Sequence, residues 1–221
     1  MEETEDLSDH QLELVTRSPL DWEDAVGVRW VRLSEKSRER VVDALCEEFR
    51  GSYRQIGDRA YEYRLAVARS LGKLRHRHAV KTLLLALTDS RNRDSNEAEK
   101  ALKKIPAWQD TRGAAEARKK LLALLKEPGR DKAAQKGNCV YALGVLANPD
   151  DVKVLVQQLK KGQRWNRPLA AEALVNIGTR EAWEALNAAV DSERDGEVHG
   201  SICEAIERFR GGRIRPVFRS Q

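Results

Sequence analysis

The chain reads as all-α, a solenoid of about five to six helical hairpins, and three observations predict that class. An apolar ladder at i, i+3, i+4 and i+7 returns five times, as Val67/Ser70/Leu71/Leu74, Ala98/Ala101/Leu102/Ile105, Cys139/Ala142/Leu143/Leu146, Ala170/Ala173/Leu174/Ile177 and Ile202/Ala205/Ile206/Phe209. That spacing keeps the four side chains on one face of an α-helix. Successive copies start 31, 41, 31 and 32 residues apart, a period at which each unit buries its apolar face only by stacking on its neighbours. No stretch sustains the two-residue alternation of a half-buried strand, and aromatic residues make up only 5%.

Residues 1–36 read as an acidic head and a degenerate capping repeat, with Leu12 and Val15 on a first helix and Val26, Trp30 and Leu33 on a second. An atypical end repeat is expected because one of its faces must meet water. The array proper spans 37–210, with helix pairs expected at 37–49 and 60–75, 78–88 and 95–105, 114–126 and 131–147, 150–161 and 167–177, and 180–190 and 197–209. Each ladder helix follows a helix with apolar residues at i, i+3 and i+7. These are Val42/Leu45/Phe49, Val80/Leu83/Leu87, Val152/Leu155/Leu159 and Trp183/Leu186/Val190, with Leu121, Leu122 and Leu125 serving in the third pair. Punctuation agrees: Asn148-Pro149-Asp150 separates pairs, Pro168 falls in a first helical turn, and Gly178-Thr179 supplies a stop followed by an N-cap. Extra length falls at 51–59 and around 106–110, and a basic tail closes the chain at 211–221.

Composition bounds the function. The 221 residues are 41% hydrophobic and 34% charged, with 40 basic against 35 acidic residues and a net charge of +5. That bias permits a nucleic acid or a protein partner with an acidic surface without demanding either. Cys46, Cys139 and Cys203 form no CxxC pair, so buried thiols are expected rather than a disulfide framework or a zinc site. The acidic start is unlike a signal peptide and no apolar run reaches a membrane span, so a cytoplasmic protein without membrane contact is expected. No phosphate loop, HExxH, GxSxG or EF-hand pattern occurs, and His10, His76, His78 and His199 show no ligand spacing with carboxylates or thiols. No catalytic residue, metal or cofactor is expected.

Three runs, 63–72 (Tyr63-Arg64-Leu65 onward), 136–144 (Lys136-Gly137-Asn138 onward) and 167–174 (Arg167-Pro168-Leu169 onward), resemble the second helix of HEAT repeats. The short period is similar to the HEAT-like subclass named from phycobilin lyase subunits. The resemblance implies a right-handed, armadillo-like α-α superhelix over roughly 37–210 and leaves function open, since one fold hosts many functions.

The position three residues before each ladder is Arg64, Ser95, Lys136, Arg167 and His199. It reads either as a basic binding stripe on the ladder-helix face or as cations that pair with acids of adjacent helices and tie repeats together; an Arg of this kind is shared by HEAT repeats, which favours the second. The turns inside the hairpins hold a second set, Arg54 and Arg59, Arg91 and Arg93, Arg130 and Lys132, then Lys160, Lys161 and Arg164, with Trp165 beside the last and Tyr53, Tyr61 and Tyr63 near the first. Cations interleaved with aromatics suit partner contact. Trp22, Trp108 and Trp165 lie near loops as possible anchors, whereas Trp30 and Trp183 read as core. The function expected is a non-catalytic scaffold or adaptor, with partner contacts at Tyr63, Arg64, Arg93, Lys136, Arg164, Trp165, Arg167 and His199. A nucleic-acid-binding protein and a lyase-type enzyme subunit are the alternatives.

Overall fold

The structure, a computed structural model, describes residues 4–52, 57–88, 95–127, 129 and 132–211. It divides into two compact units, Met1–Leu87 with Arg91–Ala117, and Thr88–Ser90 with Arg118–Gln221. Each is a stack of helical hairpins, the arrangement of an α-solenoid. Among the described residues there is no strand beyond a single bridge, and no helix is long and apolar enough to cross a membrane.

The first unit holds α1 (Asp9–Arg17), α2 (Trp22–Val26), α3 (Glu35–Ser52), α4 (Asp58–Leu74), α5 (Ala79–Ala86), α6 (Ser95–Lys104) and the start of α7 (Arg112–Lys126). Helices α3 and α4 form one hairpin and α5 and α6 the next, with α3 against α5 and α4 against α6. The second helix expected from Val26 to Leu33 does not form. Gly27 takes a left-handed conformation at φ 76° and closes α2, its N–H returning to the Glu23 carbonyl at 2.9 Å. Trp30 then lies in a short 3₁₀ turn, and Leu33 pairs in parallel with Glu5. The head is tied down locally: a Ser8–Gln11 capping box opens α1, and Asp6 accepts from the hydroxyls of Ser34 and Ser37 beside the start of α3. Those hydroxyls hold the Asp6 carboxyl below its usual range.

The ladders are core. Val67, Ala98, Leu102, Cys139, Leu143, Ala170, Leu174 and Ile202 are fully buried, and each large aliphatic side chain so removed from water contributes about 1.5–3 kcal/mol. Leu74 and Leu122 are half-buried, as are Trp183 and Val190 on the final hairpin. Ser70, the polar rung, donates to the Pro19 carbonyl, so its burial leaves no orphan group.

The histidines find partners through space that their sequence spacing conceals. His76 Nε2 lies 3.6 Å from Glu35, and His78 lies 3.6 Å from Glu39 and 3.4 Å from Asp43, all on α3. Burial first, then the neighbouring His78, lowers the pKa of His76 below its ordinary 6.5, although Glu35 and Glu39 pull the other way. The folded state therefore binds fewer protons here than the unfolded chain, and stability present above pH 6.5 is lost as pH falls toward the depressed folded value. Melting curves through this window should show that loss, and His76→Gln should flatten it; an unchanged slope in the variant places the proton uptake elsewhere.

The second unit holds the rest of α7, then α8 (Ala133–Leu146), α9 (Val152–Lys161), α10 (Asn166–Ile177), α11 (Arg180–Ser192) and α12 (Gly196–Arg210). Helix α10 packs between α8 and α12, and α9 packs on α11. Helices α8 and α10 approach through small residues: a Cβ added at Gly144 would lie 2.7 Å from Ala173 Cβ and 2.8 Å from its Cα. The expected terminators are in place. Gly178 caps α10 at φ 69°, and Thr179 accepts from the Ala182 N–H to open α11.

Candidate functional site

The sequence-derived positions fall into two groups by unit. In the first, the Tyr63 hydroxyl donates to the Thr16 carbonyl on α1 at 2.7 Å, and burial pushes its pKa up to about 12. Arg64 donates to the Ser52 carbonyl at 3.2 Å, tying α4 to the end of α3. Both side chains are engaged within the fold. Arg93 and the side chain of Ser95 lie outside the described residues, as do Tyr53, Arg54, Arg91, Arg130 and the tail from 212.

In the second unit Arg164, Trp165 and Arg167 come together where α9 turns into α10. Trp165 occupies the N-cap position of α10 and is 71% exposed, the only one of the three proposed loop anchors that meets solvent. Trp22 and Trp108 are buried, at 3% and 5%, against the expectation from their loop-proximal positions. Trp22 packs edge-on to Trp30 at 6.3 Å, and Trp108 folds inward on a 3₁₀ turn. Trp30 and Trp183, expected in the core, are half-buried.

The cations here are met by an acidic turn, Glu193 to Glu197, whose role no local sequence pattern marks. Arg164 Nε lies 2.8 Å from Asp195 and its Nη2 2.6 Å from Glu197, while the guanidinium stacks 5.4 Å from the Trp165 ring. Arg167 Nη1 reaches the largely buried Glu193 at 2.5 Å, and its Nε is buried without a hydrogen-bond partner among the described residues. Asp195 also caps α12 by accepting from the Glu197 and Val198 N–H groups, and the Val198 bond leads the causes that lower its pKa. These three acids sit 26–33 residues beyond their partners, one repeat downstream. Arg118 and Asp151 repeat the theme, with Arg118 Nε 3.0 Å from both carboxylate oxygens.

Lys136 on α8 is half-buried and makes no ion pair with a described residue. It adjoins Gly137, where an added Cβ would stand 2.7 Å from Asn166 Oδ1, which places it beside the first turn of α10. His199 lies on α12 with its Nδ1 3.7 Å from the sulfur of Cys203, a pairing four residues apart that the sequence reading passed over. Cys46 and Cys139 are buried, and burial raises their pKa to about 11 and about 12. Among the described residues no cluster of His, Cys, Asp and Glu is placed to hold a metal ion.

The first unit also carries an open concavity of about 680 Å³, lined by Asp43, Arg77, His78, Lys81, Asp110 and Glu116 among others. Its charge is largely internal, since Lys81 and Arg112 both pair with Glu116, at 2.6 and 2.8 Å.

Comparisons with known proteins bear on the fold. No curated protein matches the chain. A solved structure, the crystal structure of an engineered protein from the Northeast Structural Genomics Consortium, is 20% identical and aligns over 93% of this chain and 98% of its own, at a TM-score of 0.40. That superposition is too loose to carry an argument. The family model described as HEAT repeats matches residues 119–207, which contain α8 through α11 and nearly all of α12. Over that span the chain is similar to HEAT repeats.

Proposed function

We propose that the chain is a non-catalytic scaffold whose second unit grips a protein partner along the edge formed by Arg164 and Trp165. HEAT repeats commonly serve as protein-interaction scaffolds and are generally non-enzymatic. The observation that carries the reading is the exposed Trp165 indole, held under a guanidinium that Asp195 and Glu197 fix in turn. An aromatic positioned before binding loses little freedom on contact, and Trp and Arg dominate the energetics of protein interfaces. Lys136 on α8 and His199 on α12 add polar contacts, while Arg167 supports the edge through Glu193. In the first unit Tyr63 and Arg64 contribute little to partner binding, because their polar groups already have intramolecular bonds. A partner with an acidic surface fits Lys136.

Trp165→Ala should weaken capture of the partner from native lysate by at least about tenfold, the size of a modest hot spot. Melting and helicity should not change, because the side chain is exposed. Equal recovery of the same proteins by wild type and variant, measured by quantitative mass spectrometry, would sink the reading.

A further inference from the structure

The outer helices of the second unit carry a charge pattern that the Trp165 edge does not use. On α7, Lys119 and Lys126 lie seven residues apart on one face, with Lys120 beside them; on α9, Lys153 and Lys160 repeat that spacing, with Lys161 adjacent. The two sets are offset by one repeat, Lys119 to Lys153 and Lys126 to Lys160. All six side chains are exposed, and none makes an ion pair with a described residue. The Arg118–Asp151 bond at 2.8 Å ties the middle of α7 to the start of α9. Seven residues of helix rise about 10 Å, and packed helices lie about 8–10 Å apart. Within each helix the paired lysines therefore stand about 10 Å apart, and side-by-side packing of the two helices sets the pairs at a similar spacing.

Between Arg118 and Lys126, and along all of α9, there is no acidic residue. The acids nearby mark the borders: Asp150, 3.9 Å from Arg118, at one end, Glu127 at the other, and Glu181, Glu184 and Asp191 on α11. Helix electrostatics explains only part of the pattern. Lys126, Lys160 and Lys161 sit in last turns, where cations are favoured. Lys153 sits in the first turn of α9, where a cation opposes the dipole, so stability of the helix gives no reason for it.

We propose that this α7–α9 face docks the phosphate backbone of duplex nucleic acid without reading its sequence. The spacing of about 10 Å lies between the widths of the minor and major grooves, about 6 and 12 Å, and flexible lysine arms cover the difference to phosphates on either rim. Between the lysines the exposed positions are Ala123 and Gln157, with the apolar Leu122, Leu124, Val154 and Val156 half-buried. A protein partner needs an apolar core to its interface, and a single strand needs aromatic platforms on which bases stack. Phosphate contacts need neither.

The test is fluorescence anisotropy of the full chain with a labelled duplex DNA at rising salt. Affinity should fall with salt at a logarithmic slope of about −4.5 to −5.4, as expected for five or six phosphates neutralised. Lys119→Gln/Lys120→Gln/Lys153→Gln/Lys160→Gln should cut affinity about tenfold or more at low salt and flatten the slope by about 3.6. Its circular dichroism and melting should match wild type, and Lys73→Gln/Arg77→Gln in the first unit should bind as wild type does. Absence of binding, binding unchanged in the quadruple variant, tighter binding of a single strand, or equal binding of polyglutamate would each overturn the proposal. Trp165→Ala should leave DNA affinity intact, so failure here and failure of the protein-scaffold reading are separable.

Discussion

Arg118→Ala is expected to cost about 3 kcal/mol of stability, the low end of the range for stripping one partner from a buried ion pair. Asp151 is fully buried, at 0% exposure, and receives three hydrogen bonds from the guanidinium, at 3.0, 3.0 and 2.8 Å. It stands at the N-cap position of α9 yet makes no capping bond to its own helix; its carboxylate is committed to Arg118 on the preceding hairpin. Removing the guanidinium leaves a carboxylate sealed from water, which must either stay charged without a partner or take up a proton. In a chain of this size, 3 kcal/mol corresponds to a fall of about 6–12 °C in melting temperature. The double replacement Arg118→Leu/Asp151→Leu should recover most of the loss, because two apolar side chains leave no charge to solvate. A single variant that melts within about 2 °C of wild type would show that water already reaches Asp151.

Gly144→Val should be the second severe change, at about 3 kcal/mol. The added carbons enter space held by Ala173, and the nearest obstacles include its Cα, backbone that cannot rotate away as the end of a long side chain could. Gly144→Ala separates packing from propensity. In an exposed helix alanine would gain about 1 kcal/mol over glycine; at this seam it should lose instead. Ala173→Gly in the same chain removes the facing methyl and should return part of the loss, a coupling that denaturant titration of the double-mutant cycle can read. If Gly144→Ala stabilises, the helices separate freely and the seam is not close-packed.

How much of this was legible in the sequence follows from the range of each interaction. Ladder spacing is a local property, and Val67, Leu102, Leu143, Leu174 and Ile202 are buried as their period requires. Local chemistry also announced the Gly178-Thr179 break. At Gly27 it went unread, and the expected helix through Trp30 and Leu33 failed there, because the left-handed turn redirects the chain after Val26. The tryptophans show the opposite limit. Trp22, Trp108 and Trp165 all neighbour loops, and only the way each loop folds back decides which indole meets solvent.

The candidate site was half visible. The cations Arg164 and Arg167 stand out at repeat-matched positions, but their acids Glu193, Asp195 and Glu197 lie one repeat away among many other charges. Period predicts which hairpins touch, not which oxygen a guanidinium selects. The lysine face on α7 and α9 was hidden for a related reason: its members look like ordinary solvated residues until the Arg118–Asp151 bond brings the two helices together.

Arg164 leans on its own neighbour Trp165 but is anchored by the following hairpin, through Asp195 and Glu197. The edge is thus a joint product of two successive modules. An engineer wishing to transplant it onto another repeat scaffold would have to carry both in tandem, since a lone hairpin would bring the indole but leave its clamp behind.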